Sequence, residues 1–131
     1  MGVRRAHLEI HLAGPGSGEW LFDRFGGDRF REKGIIRNIG SKGSFDTYWL
    51  LIYFGQDDHS GDLDIVDDGL VIEGQMGHTF ADGFTEYDFH ELVNELSGEI
   101  GHEHELAEVR FWQIGENGEH VNEFVQNTFD F

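Results

Sequence analysis

The chain has 131 residues, and twenty-six acids against nine basic residues give it a formal net charge of −17; three Trp, three Tyr and twelve Phe are enough to fill a core. That size fits a single domain over residues 1–131, and the absence of cysteine excludes a disulfide framework, a thiolate metal site and a Cys nucleophile. No run of eighteen apolar residues exists to cross a membrane, and MGVRRAHLEI lacks the apolar stretch of a secretory signal, so signal-directed secretion is not expected.

Residues 3–12 alternate cleanly. Ala6, Leu8, Ile10 and Leu12 face one way, and Arg5, His7, Glu9 and His11 the other, which predicts a half-buried strand. GPGSG at 14–18 is a loop with the one proline, Pro15. Residues 19–33 are aromatic and charged without a clean period and read as a second strand bending into a loop. Residues 34–39 read as a short strand. FDTYWLLIYF at 45–54 is apolar on both faces from Tyr48 onward, as a central strand covered on both sides would be.

Strands near 62–66 and 70–74 should flank a tight hairpin whose turn uses Asp68-Gly69 for its positive-φ positions. Residues 75–83 read as a loop. TEYDFHELVNELSGEI predicts an amphipathic helix. Thr85 is placed to cap it, with Asp88 three residues on, and Phe84 and Phe89 occupy the staple positions. Phe89, Leu92, Val93, Leu96 and Ile100 form one apolar stripe. Ser97-Gly98 or Gly101 should end the helix. Near the C-terminus, Asn117-Gly118 predicts a two-residue hairpin pairing Ile114 with Val121 and Phe111 with Phe124. The expected fold is α+β: a mostly antiparallel sheet, or small sandwich or barrel, of six to eight strands with one amphipathic helix near 85–98 packed on it.

The charge is unevenly spread. Residues 1–42 hold eight of the nine basic residues against five acids, for a net +3. Residues 43–131 hold Arg110 against twenty-one acids, for a net −20. An acid-rich surface with only two lysines, Lys33 and Lys42, stays hydrated in concentrated salt, where the screening length falls to about 3 Å. Adaptation to a salty cytoplasm or virion would acidify the whole exterior, so a basic first third points to docking on an acidic neighbour, another copy included.

Two histidine patterns invite metal chemistry. On a regular strand, residues two apart lie about 6.6–7 Å apart and residues four apart about 13 Å. In H-L-E-I-H, therefore, His7 and His11 cannot both grip one zinc ion with bonds near 2 Å. Glu9 with one histidine needs help, and the H-x-H pair His102 and His104 supplies it. Glu9, His102 and His104 are the candidate metal ligands, of a kind suited to Zn, Fe, Ni or Mn, although a solvated polar face is the preferred reading of both patterns. The six aspartates in DDHSGDLDIVDD do not match an EF-hand loop. No nucleophile elbow, P-loop or dinucleotide fingerprint is present. The repeat DRFGGDRF combines residue types that anchor interfaces. With the terminal NTFDF, it makes Arg24, Phe25, Arg29, Phe30, Phe129 and Phe131 candidate interface residues.

These features favour a non-catalytic assembly subunit from a halophile, most naturally a head, neck or tail part of a virion. It would need no cofactor, bind no specific nucleic acid sequence and no membrane, and join copies of itself and other assembly proteins into a homo-oligomeric ring or lattice. An acidic DNA mimic that inhibits a nucleic-acid-binding enzyme, and a small His/carboxylate metal-dependent enzyme, are the alternatives.

Overall fold

A computed structural model of the chain describes residues 5–13, 17–24, 35–38, 48–53, 62–76, 84–101 and 103–127. The elements in chain order are β1 (Arg5–Ala13), α1 (Gly18–Arg24), β2 (Ile35–Asn38), β3 (Tyr48–Tyr53), β4 (Asp62–Val66), β5 (Gly69–Met76), α2 (Glu86–Ile100), β6 (Glu105–Ile114) and β7 (His120–Asn127). The strands pair in the order β2-β3-β5-β1-β6-β7, with β4 also on β5, and every described pairing is antiparallel. The β-rich α+β expectation matches this architecture. No described helix is long and apolar enough to cross a membrane.

The alternation of β1 sets the two sides of the sheet. Ala6, Leu8, Ile10 and Leu12 are buried on the inner face. The same core takes Leu70 and Ile72 from β5, and Leu106, Val109 and Phe111 from β6. Both helices cover this side. Leu21 of α1 and Phe89, Leu92, Val93, Leu96 and Ile100 of α2 belong to the same cluster. Helix α2 begins as its sequence dictates. The Thr85 hydroxyl oxygen accepts from the Asp88 backbone N–H at 3.3 Å, and Asp88 Oδ2 accepts from the Thr85 N–H at 3.0 Å. It runs to Ile100 and closes on Gly101, whose φ of 71° suits glycine.

Helix α1 stands where a strand was expected. Ser17 starts it: its carbonyl accepts from Leu21 N–H at 3.2 Å, and its hydroxyl accepts from Trp20 N–H at 3.1 Å. Seven residues are too few for a 3.6-residue period to register in the sequence. Here the one buried apolar side chain, Leu21, has Trp20 and Phe22 partly buried beside it. The helix also needs its first residue to be glycine, since a Cβ on Gly18 would meet Gly69 O at 2.1 Å and Val66 O at 2.4 Å.

The β4–β5 turn differs from expectation by one residue. Val66 pairs with Gly69, so Asp67 and Asp68 form the turn, and none of the three residues from Asp67 to Gly69 has a positive φ. Gly69 is required for a different reason: a Cβ there would sit 2.0 Å from Ile10 O of the neighbouring strand. The turn is tied down, because Asp68 O accepts from Leu12 N–H at 2.7 Å. Strand β5 runs on to Met76, into the span read as a loop; residues 77–83 lie outside the described residues. The burial expected of β3 side chains also lies outside them.

The β6–β7 hairpin has a three-residue loop instead of two. Gly118 N–H reaches Gly115 O at 3.0 Å, Gly115 N–H reaches Glu119 O at 2.8 Å, and Gly118 has φ of 83°. This is a type I turn followed by a left-handed glycine, the next commonest hairpin solution for Asn-Gly. It pairs Ile114 with His120 and Gln113 with Val121. A bulge then restores the expected Phe111–Phe124 pairing by setting Asn122 and Glu123 against Trp112. Asn122 takes φ of 55°, a conformation asparagine tolerates, and its side-chain amide donates to Gln113 Oε1.

Two glycine substitutions check this packing. Gly98 is exposed in α2 with nothing near its would-be Cβ, so Gly98→Ala should stabilise by about 0.5–1 kcal/mol. Gly69→Ala must push Ile10 backbone aside and should destabilise by more than about 1 kcal/mol. Urea melts of the two variants read both signs.

Candidate functional site

The outer face of the sheet is built in rows by strand register. Val71 pairs with Glu9 and Glu9 with Arg110, with Asp64 beyond Val71 and Val125 beyond Arg110. To one side, Glu73 pairs with His7 and His7 with Trp112; to the other, Gly69 pairs with His11 and His11 with Glu108. A second bulge, between His11 and Leu12, leaves Ala107 as the extra residue on β6 and lets Leu106 and Val109 both face the core.

A continuous ladder of carboxylates and imidazoles crosses this face. Glu73 Oε2 lies 3.0 Å from His7 Nδ1, and His7 Nε2 lies 2.7 Å from Glu9 Oε2. Glu9 Oε1 lies 3.0 Å from His11 Nε2, and His11 Nδ1 lies 3.2 Å from Asp68 Oδ1. The centre is poorly hydrated: the side chains of His7, Glu9 and His11 retain 12%, 19% and 20% exposure. The polar face expected to be solvated is therefore largely desolvated at its middle.

Four nitrogen–oxygen contacts need four protons if each is to be a hydrogen bond. An ionised carboxylate only accepts and a neutral imidazole donates once, so only two doubly protonated rings satisfy all four. Burial pushes His11 down, but hydrogen bonds to Glu9 and Asp68, and the charges of both, more than offset it and raise His11 above its ordinary 6.5. Burial pushes Glu9 up, yet hydrogen bonds from His11 and His7 and their charge hold it below its ordinary 4.5.

Aromatic stacking fixes one end. The His7 ring lies flat on Trp112 at 4.0 Å between centroids and 7° between planes, and His120 covers the other face of Trp112 at 4.1 Å and 19°. Next to the ladder, Arg110 Nε sits 3.6 Å from Glu108 Oε1 and makes no hydrogen bond. At the β4–β5 side, His7, Asp64, Val71 and Glu73 line an open depression of about 110 Å³. Arg5 approaches Glu73 Oε1 to 3.9 Å, beyond hydrogen-bond range.

Of the candidate metal ligands, Glu9 has one carboxylate oxygen on His7 and the other on His11. The ring of His104 instead meets Trp20 edge-on at 4.3 Å, beside the inner-face core, and Trp20 Nε1 donates to Glu103 Oε2 at 3.2 Å. His102 lies outside the described residues. Among the described residues no group of three or more His, Asp or Glu side chains is disposed to hold a metal ion. Of the candidate interface residues, Arg24 is the exposed last residue of α1, and Phe25, Arg29, Phe30, Phe129 and Phe131 lie outside the described residues. The sequence reading missed Glu73, Asp68 and Trp112 as partners of the HLEIH motif, and His120 as the second ring on Trp112. Only the strand register joins them to it, and that register spans up to 109 positions, from Arg5 to Ile114.

No known protein family, no curated protein and no solved structure matches the chain.

The ladder makes stability depend on pH from both sides. His11, raised in the fold, contributes fully below about pH 6.5 and loses its contribution as pH climbs through its folded value. Glu9, lowered in the fold, contributes fully above about pH 4.5 and loses its contribution as pH falls through its folded value. The stability gap between the wild type and Glu9→Gln should therefore be widest near pH 5–6 and narrow in both directions. Denaturant melts at fixed salt across pH 3–9 measure it, and a gap unchanged from pH 5 to 9 would discard the ladder.

Proposed function

We propose that the chain is a non-catalytic assembly subunit from a halophile or one of its viruses, a head, neck or tail part of a virion being the setting that fits, whose copies join into a ring or larger lattice through charge-complementary contacts. The supporting observation is the occupancy of the ladder. Both ring nitrogens of His7 and of His11, and both carboxylate oxygens of Glu9, already have partners within the chain. A general base needs a lone pair that can reach a substrate proton, and none of these three side chains offers one without breaking the ladder.

What the ladder does offer is rigidity. Side chains locked by two hydrogen bonds and a ring stack lose little further freedom when a partner covers them. Trp112, Arg110 and Val125, the last 44% exposed, add residue types suited to a contact surface. The net +3 of residues 1–42 against the net −20 of the remainder favours contacts that join unlike surfaces of successive copies.

Light scattering on the purified protein in molar and in low salt tests the proposal. A defined oligomer is expected in molar salt, where self-repulsion is screened. A monomer at every salt concentration would remove the proposal.

A further inference from the structure

The β6–β7 turn carries the chain's one Asn-Gly pair, Asn117-Gly118, and neither the core nor the ladder uses its side chain. An asparagine amide can be attacked by the backbone nitrogen of the residue that follows it. A side chain on that residue crowds the nitrogen, and glycine has none. The other four asparagines, Asn38, Asn94, Asn122 and Asn127, are followed by Ile39, Glu95, Glu123 and Thr128.

The structure separates this pair from another of similar chemistry. At Asp68-Gly69, the Asp68 carboxylate is held by His11 Nδ1 at 3.2 Å, and the Asp68 carbonyl accepts from Leu12 N–H at 2.7 Å. Gly69 is buried and lies so close to Ile10 O that no Cβ fits. At Asn117-Gly118 both residues are exposed. The Asn117 backbone N–H donates to Glu119 Oε1 at 2.9 Å, whereas its side-chain amide has no hydrogen bond among the described residues. Around Gly118 nothing lies within 4 Å of a would-be Cβ, and its N–H is held by one turn bond, to Gly115 O at 3.0 Å. A lone bond in an exposed turn opens by local fluctuation. Asp82-Gly83 lies outside the described residues.

We propose that Asn117 is a modification site, at which the chain deamidates itself through the Gly118 nitrogen. Base in solution removes the Gly118 amide proton, and the nitrogen attacks Asn117 Cγ. The bond from Cγ to the side-chain nitrogen breaks, and ammonia leaves. Water then opens the five-membered imide. Addition at Cγ restores the native backbone with an aspartate side chain. Addition at the main-chain carbonyl carbon leaves isoaspartate, whose backbone runs through Cβ and Cγ and is one carbon longer. Either product places a new carboxylate between Glu116 and Glu119. The isoaspartate form also lengthens the turn that sets the Ile114–His120 pairing, and His120 is the ring that covers Trp112. The modification therefore acts on the aromatic end of the ladder.

Intact mass and peptide mapping of the folded protein, incubated in mildly alkaline buffer, test the site. The mass gain of amide-to-acid conversion should map to Asn117, at least roughly fivefold faster than to any other asparagine. Asn117→Gln, whose longer side chain would have to close a six-membered ring, should lose that gain, with circular dichroism confirming that it folds. The chain unfolded in urea is the control that the chemistry runs. No conversion at Asn117 in the folded protein, or faster conversion at another asparagine, would overturn the proposal. The isoaspartate fraction should unfold at lower urea than Asn117→Asp, which carries the same charge on a backbone of native length. Equal midpoints would overturn the coupling to the stack.

Discussion

The seating of β1 between β5 and β6 makes one nine-residue strand serve two environments at once. Its backbone is paired along both edges, so it cannot slip by a residue without turning every side chain over. On one side four aliphatic residues, 0–3% exposed, close the core under α1 and α2. On the other, Arg5, His7, Glu9 and His11 meet whatever β5 and β6 bring opposite them. Glu73, Asp68 and Trp112 arrive there because the core side of the same strands fixes the register. The apolar face thus determines the polar one.

That polar face is costly to desolvate, and its chemistry is arranged to offset the cost. A buried carboxylate beside a lone imidazole would leave charge or lone pairs unmatched. An alternating run of three carboxylates and two imidazoles matches each interior group on both sides and leaves its two end groups, Glu73 and Asp68, toward water at 36% and 55% exposure. The stack of His7, Trp112 and His120 then holds the ring planes. Breaking such a network by removing one member strands the rest, which is why it behaves as a unit.

How much of this was legible in the sequence follows the range of the interactions. The faces of β1, the capping box and apolar stripe of α2, and the Phe111–Phe124 pairing depend on neighbours a few residues away, or on a turn with a strong local signature. Each stands where the sequence placed it. The α1 segment was misread because seven residues hold less than two full turns of pattern. The β4–β5 turn was misread because Gly69 is demanded by the approach of Ile10 O, a contact between distant segments, and not by its own φ. The near end of the β6–β7 hairpin shifted because Asn-Gly serves two loop lengths, and a bulge at Asn122 absorbs the difference. HLEIH was visible as a motif, but its partners come from the turn after β4 and from β5 and β6. Sequence spacing carries no information about those.

The Asn122 bulge bears on how copies of the chain can meet. Strand β7 closes the described pairing path, and a straight terminal strand is an invitation to rim-against-rim fusion with any similar strand nearby. An extra residue in the left-handed region breaks the even spacing of donors and acceptors along β7 and coils it away from flatness. Growth by zipping strand onto strand is thereby discouraged at this margin.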